Sequence, residues 1–491
     1  MDQYSNISDK GRIDWFTVIL YLIFVTFGFI NIYAANFDFE SRDSESFVLT
    51  GNALRQLIWI GTALVLAFVI MKIDVAFFET YALGFFLIGI VVLVLTIFLP
   101  PLDVRGTKSF IGIGPFTIQP AEFMKFVIIL ALARVLSLYN FILMKPKHLL
   151  LASALILVPF GIVILQNEMG QALVYLALIL VLYREGLPGG VLFMGFAFVL
   201  YFIFGVKFSG DADTLFTTGD LIVMLLIQLF MAGLVWTYVK RFKVGLIVLL
   251  IPGCLFLGAY LFSLMNIQIN WGLVAVIALS MASLYLLYLY FRFRLRTYLF
   301  IVLFAVGSFV FHETTEYVFH NVLDAHQSVR IKSLLGMIDD PTGIGWQVRQ
   351  SQIAIGSGGL WGKGFLEGTQ TKLGYIPDQD TDFIFCTIGE EHGFIGTALV
   401  MILMMVFLLR LLYLAERQSS IFGRAFGYGV ISIILFHVII NVGMVIGFMP
   451  VIGIPLPFFS YGGSSLWGFT LMIFVFLRID KSRKRKFSID D

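Results

Sequence analysis

Fourteen apolar runs, each near the length that crosses a bilayer, are separated by connections whose charge alternates in sign along the chain. A spanning helix needs roughly 20 apolar residues. The runs fall near 15–35, 55–72, 78–99, 119–138, 149–165, 169–183 and 189–206, then 220–238, 245–263, 270–291, 295–311, 385–412, 424–447 and 461–478. Composition agrees: 59% of the 491 residues are hydrophobic, 13% are charged, and mean hydropathy is +0.94. Soluble domains carry about a quarter charged residues, so an ordinary soluble fold is excluded, and 52 phenylalanines exclude disorder. The expected fold is all-α, a polytopic helical integral membrane protein of about 14 spans. The run at 15–35 is longer than a signal-peptide core and reads as an uncleaved anchor.

The charges give the expected orientation. Odd-numbered connections carry Glu40, Asp43, Glu45, Asp103, Glu168, Asp211, Asp213 and Asp220; even-numbered ones carry Lys72, Arg134, Lys145, Lys147, Arg184, Lys240, Arg241, Lys243, Arg292, Arg294, Arg296, Arg410, Arg417 and Arg424. Basic loops stay in the cytoplasm, so both termini, with the basic tail at 481–491, are expected there. Net charge is only +2, which gives no footing for nucleic acid. Cys254 and Cys386 sit in apolar runs and make neither a disulfide framework nor a four-ligand zinc site.

One connection is not a short turn. Residues 312–384 form an outward loop that mixes apolar and small polar residues, and a long structured loop is where chemistry is expected. It ends on Asp382 where polar loop becomes apolar helix, with Glu390 and Glu391 two turns on and Arg330, Arg349, Lys363 and Lys372 in the same loop. Asp382 reads either as a helix-capping acid or as a carboxylate desolvated beside Phe383 and Phe385. Glu122 and Lys125 open the fourth run three residues apart and share a helix face. They are either a helix start with a snorkelling lysine or an anionic head-group site. Glu168 reads as a solvated turn residue or a site carboxylate. Residues 441–465 hold three prolines and several glycines within an apolar stretch, which suggests a broken, cavity-lining segment.

Four of these blocks, in order, resemble the SEDS family of bacterial membrane proteins. I-Q-P-A-E-F-M-K at 118–125 is similar to its Q-P-S/A-E-x-x-K motif, and Q-N-E-M-G at 166–170 to its Q-P-D-x-G. Residues 346–396 resemble its large outer loop, and G-I-P-L-P-F-F-S-Y-G-G-S-S at 453–465 its last signature. The tract 354–359 with 368–370 looks like the elongation type. Asn167 and Glu168 replace the family's proline and aspartate, and Thr117 stands where division-type members carry arginine.

The resemblance implies a ten-span core split into 1–188 and 292–480, with four inserted spans at 189–291. It implies a peptidoglycan glycosyltransferase that polymerises lipid II at the outer leaflet of the bacterial cytoplasmic membrane, in cell elongation and shape maintenance. Undecaprenyl diphosphate would leave. Asp382 matches the family's outer-loop aspartate and would be the general base, with Lys125, Glu122, Lys363, Arg330 and Glu168 lining the substrate site. A divalent cation (Mg or Mn) would help neutralise the diphosphate. Expected partners are lipid II, the undecaprenyl-linked glycan chain, membrane lipid and a class B penicillin-binding protein. A lipid-precursor flippase and a non-catalytic scaffold are the competing readings.

Overall fold

A computed structural model describes residues 11–37, 51–99, 109–113, 116–208, 217–265, 269–321 and 344–483, with isolated positions between 328 and 337. Each apolar run is helical, because a chain in lipid must satisfy its own amides and carbonyls. In order these are α1 (Trp15–Ala35), α2 (Gly51–Ile70), α3 (Val75–Phe98), α4 (Pro120–Leu136), α5 (Pro146–Leu165), the broken pair α6 (Met169–Leu176) and α7 (Ile179–Arg184), and α8 (Gly189–Lys207). There follow α9 (Thr218–Leu234), extended by a π turn to Val239, then α10 (Phe242–Ser263), α11 (Trp271–Phe293) and α12 (Arg296–Asn321). The outer loop contributes α13 (Ile344–Ser357) and the one-turn α14 (Thr369–Lys372) before α15 (Ile384–Glu416), α16 (Ile421–Val445) and α17 (Gly463–Lys481). A two-stranded antiparallel ribbon, β1 (Ile111–Ile113) and β2 (Phe116–Ile118), leads into α4.

Among the described residues, twelve helices are long and apolar enough to cross a membrane. The remaining two runs are α4, at 17 residues with Glu122, Lys125 and Arg134 in it, and the shorter stretch Met169–Arg184. One boundary differs from the sequence expectation. The eleventh run, expected to end near 311, continues as helix to Asn321, since His312 through Tyr317 are polar but nothing there forbids helical backbone.

The chain divides into two compact units, residues 1–188 with 340–491, and residues 189–339. In the first, α16 and α17 are mostly buried, whereas α3 turns most of its apolar surface outward. α4 packs between α3, α16 and α17 and buries Ile128, Ile129, Leu130 and Leu132. In the second unit α9 is central, touching α8, α10, α11 and α12, over a core that includes Tyr201, Met224, Ile227, Leu286 and Tyr298.

Both irregular stretches of the first unit are enclosed by protein. α15 breaks at Gly393, whose φ of 65° and ψ of −162° are not helical. Loop residues 359–364 occupy the break: Lys363 and Gly364 donate to the carbonyls of Glu390 and Glu391, while Phe394 and Ile395 donate to Gly359 and Leu360. The freed helix groups are thus paired again. Between α16 and α17, residues 446–462 bury Ile454, Leu456, Phe458 and Phe459 against Phe24, Phe407 and Phe469.

A Cβ at position 393 would stand 2.3 Å from the Gly362 nitrogen, at a φ that L-residues rarely adopt. Gly393→Ala is therefore expected to cost about 1–3 kcal/mol, read as an earlier surfactant-unfolding midpoint of the purified protein. An unchanged midpoint would show that the break relaxes freely.

Candidate active site

Asp382 lies in the turn that precedes α15 and is 8% exposed. It is not the helix cap: Phe383 holds that position and makes no side-chain cap bond. The backbone of this turn is held by the segment between α16 and α17 and by α16 itself. Tyr461 N donates to the Asp380 carbonyl at 2.8 Å, Ser460 Oγ to Thr381 at 2.6 Å, and Asn441 Nδ2 to Asp382 at 2.9 Å. Three successive carbonyls are fixed in this way. The same Asn441 amide reaches the Ile454 carbonyl at 2.7 Å, so one buried side chain ties the two irregular segments together. Asp380 adds a tether of its own, accepting from Asn52 Nδ2 at 2.8 Å. The Asp382 carboxylate abuts Gly453, where a Cβ would approach Oδ2 to 3.4 Å and φ is +69°.

One turn from Asn441 on the same face of α16 is His437, which joins a second buried set. Lys125 is fully buried and donates to Glu122 Oε2 at 2.8 Å and to His437 Nε2 at 2.9 Å. Because lysine can only donate, Nε2 must accept, and the imidazole proton sits on Nδ1, 3.0 Å from the Pro455 carbonyl. Gln171 Nε2 donates to the other Glu122 oxygen at 2.6 Å. The pair Glu122–Lys125 is therefore enclosed and satisfied, and it acts on the backbone beside Ile454 that Asn441 also grips.

The outer-loop carboxylates are paired. Glu390 Oε1 accepts from Lys363 Nζ at 2.7 Å and from the amides of Thr369 and Gln370, and Oε2 from Thr371 N and Oγ1. Glu391 lies 3.0 Å from Lys372 Nζ, which also donates to the Ala34 carbonyl. Burial pushes the Lys372 ammonium below its ordinary pKa, against the pull of Glu391. Lys363 keeps a quarter of its side chain exposed. Glu168 accepts from Ser109 Oγ at 2.6 Å, and Asn167 before it takes a left-handed φ of 64° that a proline ring forbids. Gln166 of the same motif anchors to Leu93 O and Thr96 Oγ1.

The structure thus draws Asp382 together with the last signature, and Glu122 with Lys125 and Gln171. Lys363 is drawn to Glu390 rather than to Asp382. Arg330 lies outside the described residues. Sequence reading missed His437, and it noted Asn441 without a role. The signal available was two polar residues four apart in an apolar span, which lipid alone would not tolerate.

Helical bundle, enclosed irregular segments and a buried carboxylate turn at one helix start define a polytopic membrane protein whose candidate site is built on its long loop and residues 453–465. The family model for FtsW, RodA and SpoVE, described as cell cycle protein, matches residues 14–209 and 222–485; the chain belongs to that family. It is 30% identical over 92% of its length to the peptidoglycan glycosyltransferase RodA of Treponema pallidum (strain Nichols), covering 94% of that protein. Its fold is similar to a chain in a peptidoglycan synthase complex that coordinates polymerization and crosslinking (TM-score 0.58, 22% identity, 96% and 99% of the two chains). It is also similar to a variant of the Thermus thermophilus rod shape determining protein RodA (TM-score 0.51, 20% identity, 96% and 99%).

Breaking the enclosed pair from one side strands a buried charge. Lys125→Met is expected to destabilise the protein by about 3–5 kcal/mol, whereas Lys125→Met with Glu122→Gln should recover a large part of it. Surfactant-unfolding midpoints of the two proteins decide this, and a double variant no better than the single would refute the pairing argument.

Proposed function

We propose that this protein is a peptidoglycan glycosyltransferase of the elongation type, polymerising lipid II at the outer leaflet of the cytoplasmic membrane. The observation that carries the reading is the mounting of Asp382. A carboxylate stands at the end of the outer loop, and its backbone is fixed on three successive carbonyls by the family's last signature and by Asn441 of α16. The charge alternation of the connections supports an outward position for this turn and cytoplasmic termini.

The acceptor sugar hydroxyl is a very weak acid and needs a base within hydrogen-bond reach as its oxygen attacks the anomeric carbon. Asp382 takes that proton while the bond to the lipid diphosphate breaks. The leaving diphosphate needs charge neutralisation rather than a proton, so a second acid of the kind glycosidases use is not required. Lys363, partly exposed, is the cation we assign to the diphosphate. Glu168 lines the approach. Glu122 and Lys125 hold the signature segment from within rather than touching sugar. Mg²⁺ typically takes one or two carboxylates plus substrate phosphates, and a divalent cation delivered with the diphosphate would be held largely by those phosphates, leaving Asp382 to take the proton. It would supply further neutralisation of the leaving group.

The similarity to a chain of a synthase complex supports a crosslinking partner, a class B penicillin-binding protein, beside lipid II, the undecaprenyl-linked glycan and membrane lipid. Polymerisation of labelled lipid II by the purified protein with that partner tests the reading. Asp382→Asn is expected to reduce turnover at least 100-fold with folding and partner binding intact. A variant that polymerises normally would remove Asp382 from the chemistry. Asn441→Ala leaves the Asp382 and Ile454 carbonyls without their donor. It should lower kcat roughly 10-fold with KM little changed, and an equal rise in KM would instead indicate a role in substrate binding.

A further inference from the structure

The second unit holds a cluster of polar groups that the polymerase reading does not use. His312 on α12 and Asp220 at the start of α9 are both buried, at 3% and 5% exposure, with Nε2 and Oδ1 2.7 Å apart. Glu316 follows His312 by one turn, and one ligand atom from each of the three lies within 4.8 Å of the others. This is a mixed set, an imidazole with two carboxylates drawn from two helices. Ionisable groups at membrane depth are costly and mark function by default.

The surroundings are built around these atoms. Thr217 N donates to Asp220 Oδ2 at 2.6 Å and its hydroxyl lies 3.1 Å from the same oxygen, which leaves Oδ1 turned toward His312. On α8, Gly205 gives the imidazole its seat: a Cβ there would stand 2.9 Å from Cε1. Directly beneath, Ser308 precedes His312 by one turn and Tyr201 precedes Gly205 by one turn. Both are completely buried, and their hydroxyls face one another with no other partner meeting the hydrogen-bond geometry. Two hydroxyls with only each other to meet in an apolar helical unit keep spare hydrogen-bonding capacity that a ligand or water would use. Glu313 adds a third carboxylate close by.

We propose that Asp220, His312 and Glu316 bind a divalent transition-metal ion, zinc by ligand chemistry, that fastens α9 to α12. An imidazole nitrogen argues against Mg²⁺ and Ca²⁺, which take oxygen ligands. One histidine with carboxylates suits zinc, leaving a fourth position to water or to a hydroxyl. Bonds of about 2.0–2.2 Å place tetrahedral ligand atoms roughly 3.3–3.5 Å apart, between the 2.7 Å hydrogen bond and the 4.8 Å limit of the cluster. Glu316, the least buried of the three, closes that gap by swinging its side chain. With the metal on Nε2, the imidazole proton sits on Nδ1 and the ion takes the place of the hydrogen between His312 and Asp220.

The test uses the full-length, untagged protein in detergent, stripped by chelator and titrated with Zn²⁺ alone. The expected result is about one equivalent bound per chain by elemental analysis, a visible spectrum when Co²⁺ replaces it, and a rise in Tm on zinc addition. Glu316→Gln removes a partly exposed ligand with little effect on folding. It should weaken zinc binding at least 10-fold and abolish the Tm rise, and His312→Ala should do the same. Absence of stoichiometric zinc in the wild type, or equal zinc uptake by both variants, would overturn the site and leave Asp220–His312 a hydrogen-bonded clasp between helices. Neither outcome depends on polymerase activity.

Discussion

Three neighbouring carbonyls, at Asp380, Thr381 and Asp382, receive their hydrogen bonds from Tyr461, Ser460 and Asn441. Much of the first unit follows from that exchange. A helix in lipid satisfies itself, but an irregular segment must find its partners in other protein, and each such group left bare costs several kcal/mol. Two irregular segments that satisfy one another remove this cost together, which makes each obligatory for the other. The prolines and glycines at 447–463 then have a physical meaning. They stop α16 and allow backbone to pass close to the Asp382 turn, where Gly453 leaves room for a carboxylate.

The enclosed charges serve the same end. A lysine and a glutamate taken out of water lose solvation that their attraction only partly returns, so Glu122–Lys125 is weak evidence of stability. Its value lies in direction. Lys125 fixes the His437 tautomer, and the imidazole then holds Pro455, next to the Ile454 carbonyl gripped by Asn441. A motif near residue 120 thus meets a signature near residue 455 through His437, and one turn further along α16 Asn441 ties that signature to the Asp382 turn.

Most of the architecture was legible in the sequence because lipid imposes a coarse rule that hydropathy reads directly. Every expected run is helix, and the missed end of α12 lies where polar residues continue a helix beyond the apolar stretch. The site was legible only in part. Asp382 stood out as an acid at a loop-to-span junction, and Glu122 with Lys125 as neighbours on one face. That Lys125 is enclosed rather than presented to a ligand depends on His437, over 300 residues away, and no local pattern carries a contact of that separation. Likewise the loop lysines looked equally available for an anionic substrate, yet Lys372 is buried against Glu391, whereas Lys363 meets Glu390 and stays partly exposed.

Under the proposed reading Asp382 is the base, and the two carboxylates near the start of α15 are poorly suited to that role. Glu390 accepts from a lysine, three amides and two hydroxyls, so a proton on either oxygen would displace donors already bound there and weaken the pair with Lys363. A general base takes its proton with little loss of this kind, and Glu390 does not meet that condition. Glu391 is buried against Lys372 and closed to an incoming sugar. Asp382 differs in where its bonds lie, since the contacts that position its turn are made to main-chain carbonyls. For a reaction whose leaving group carries its negative charge away without needing a proton, one such group suffices.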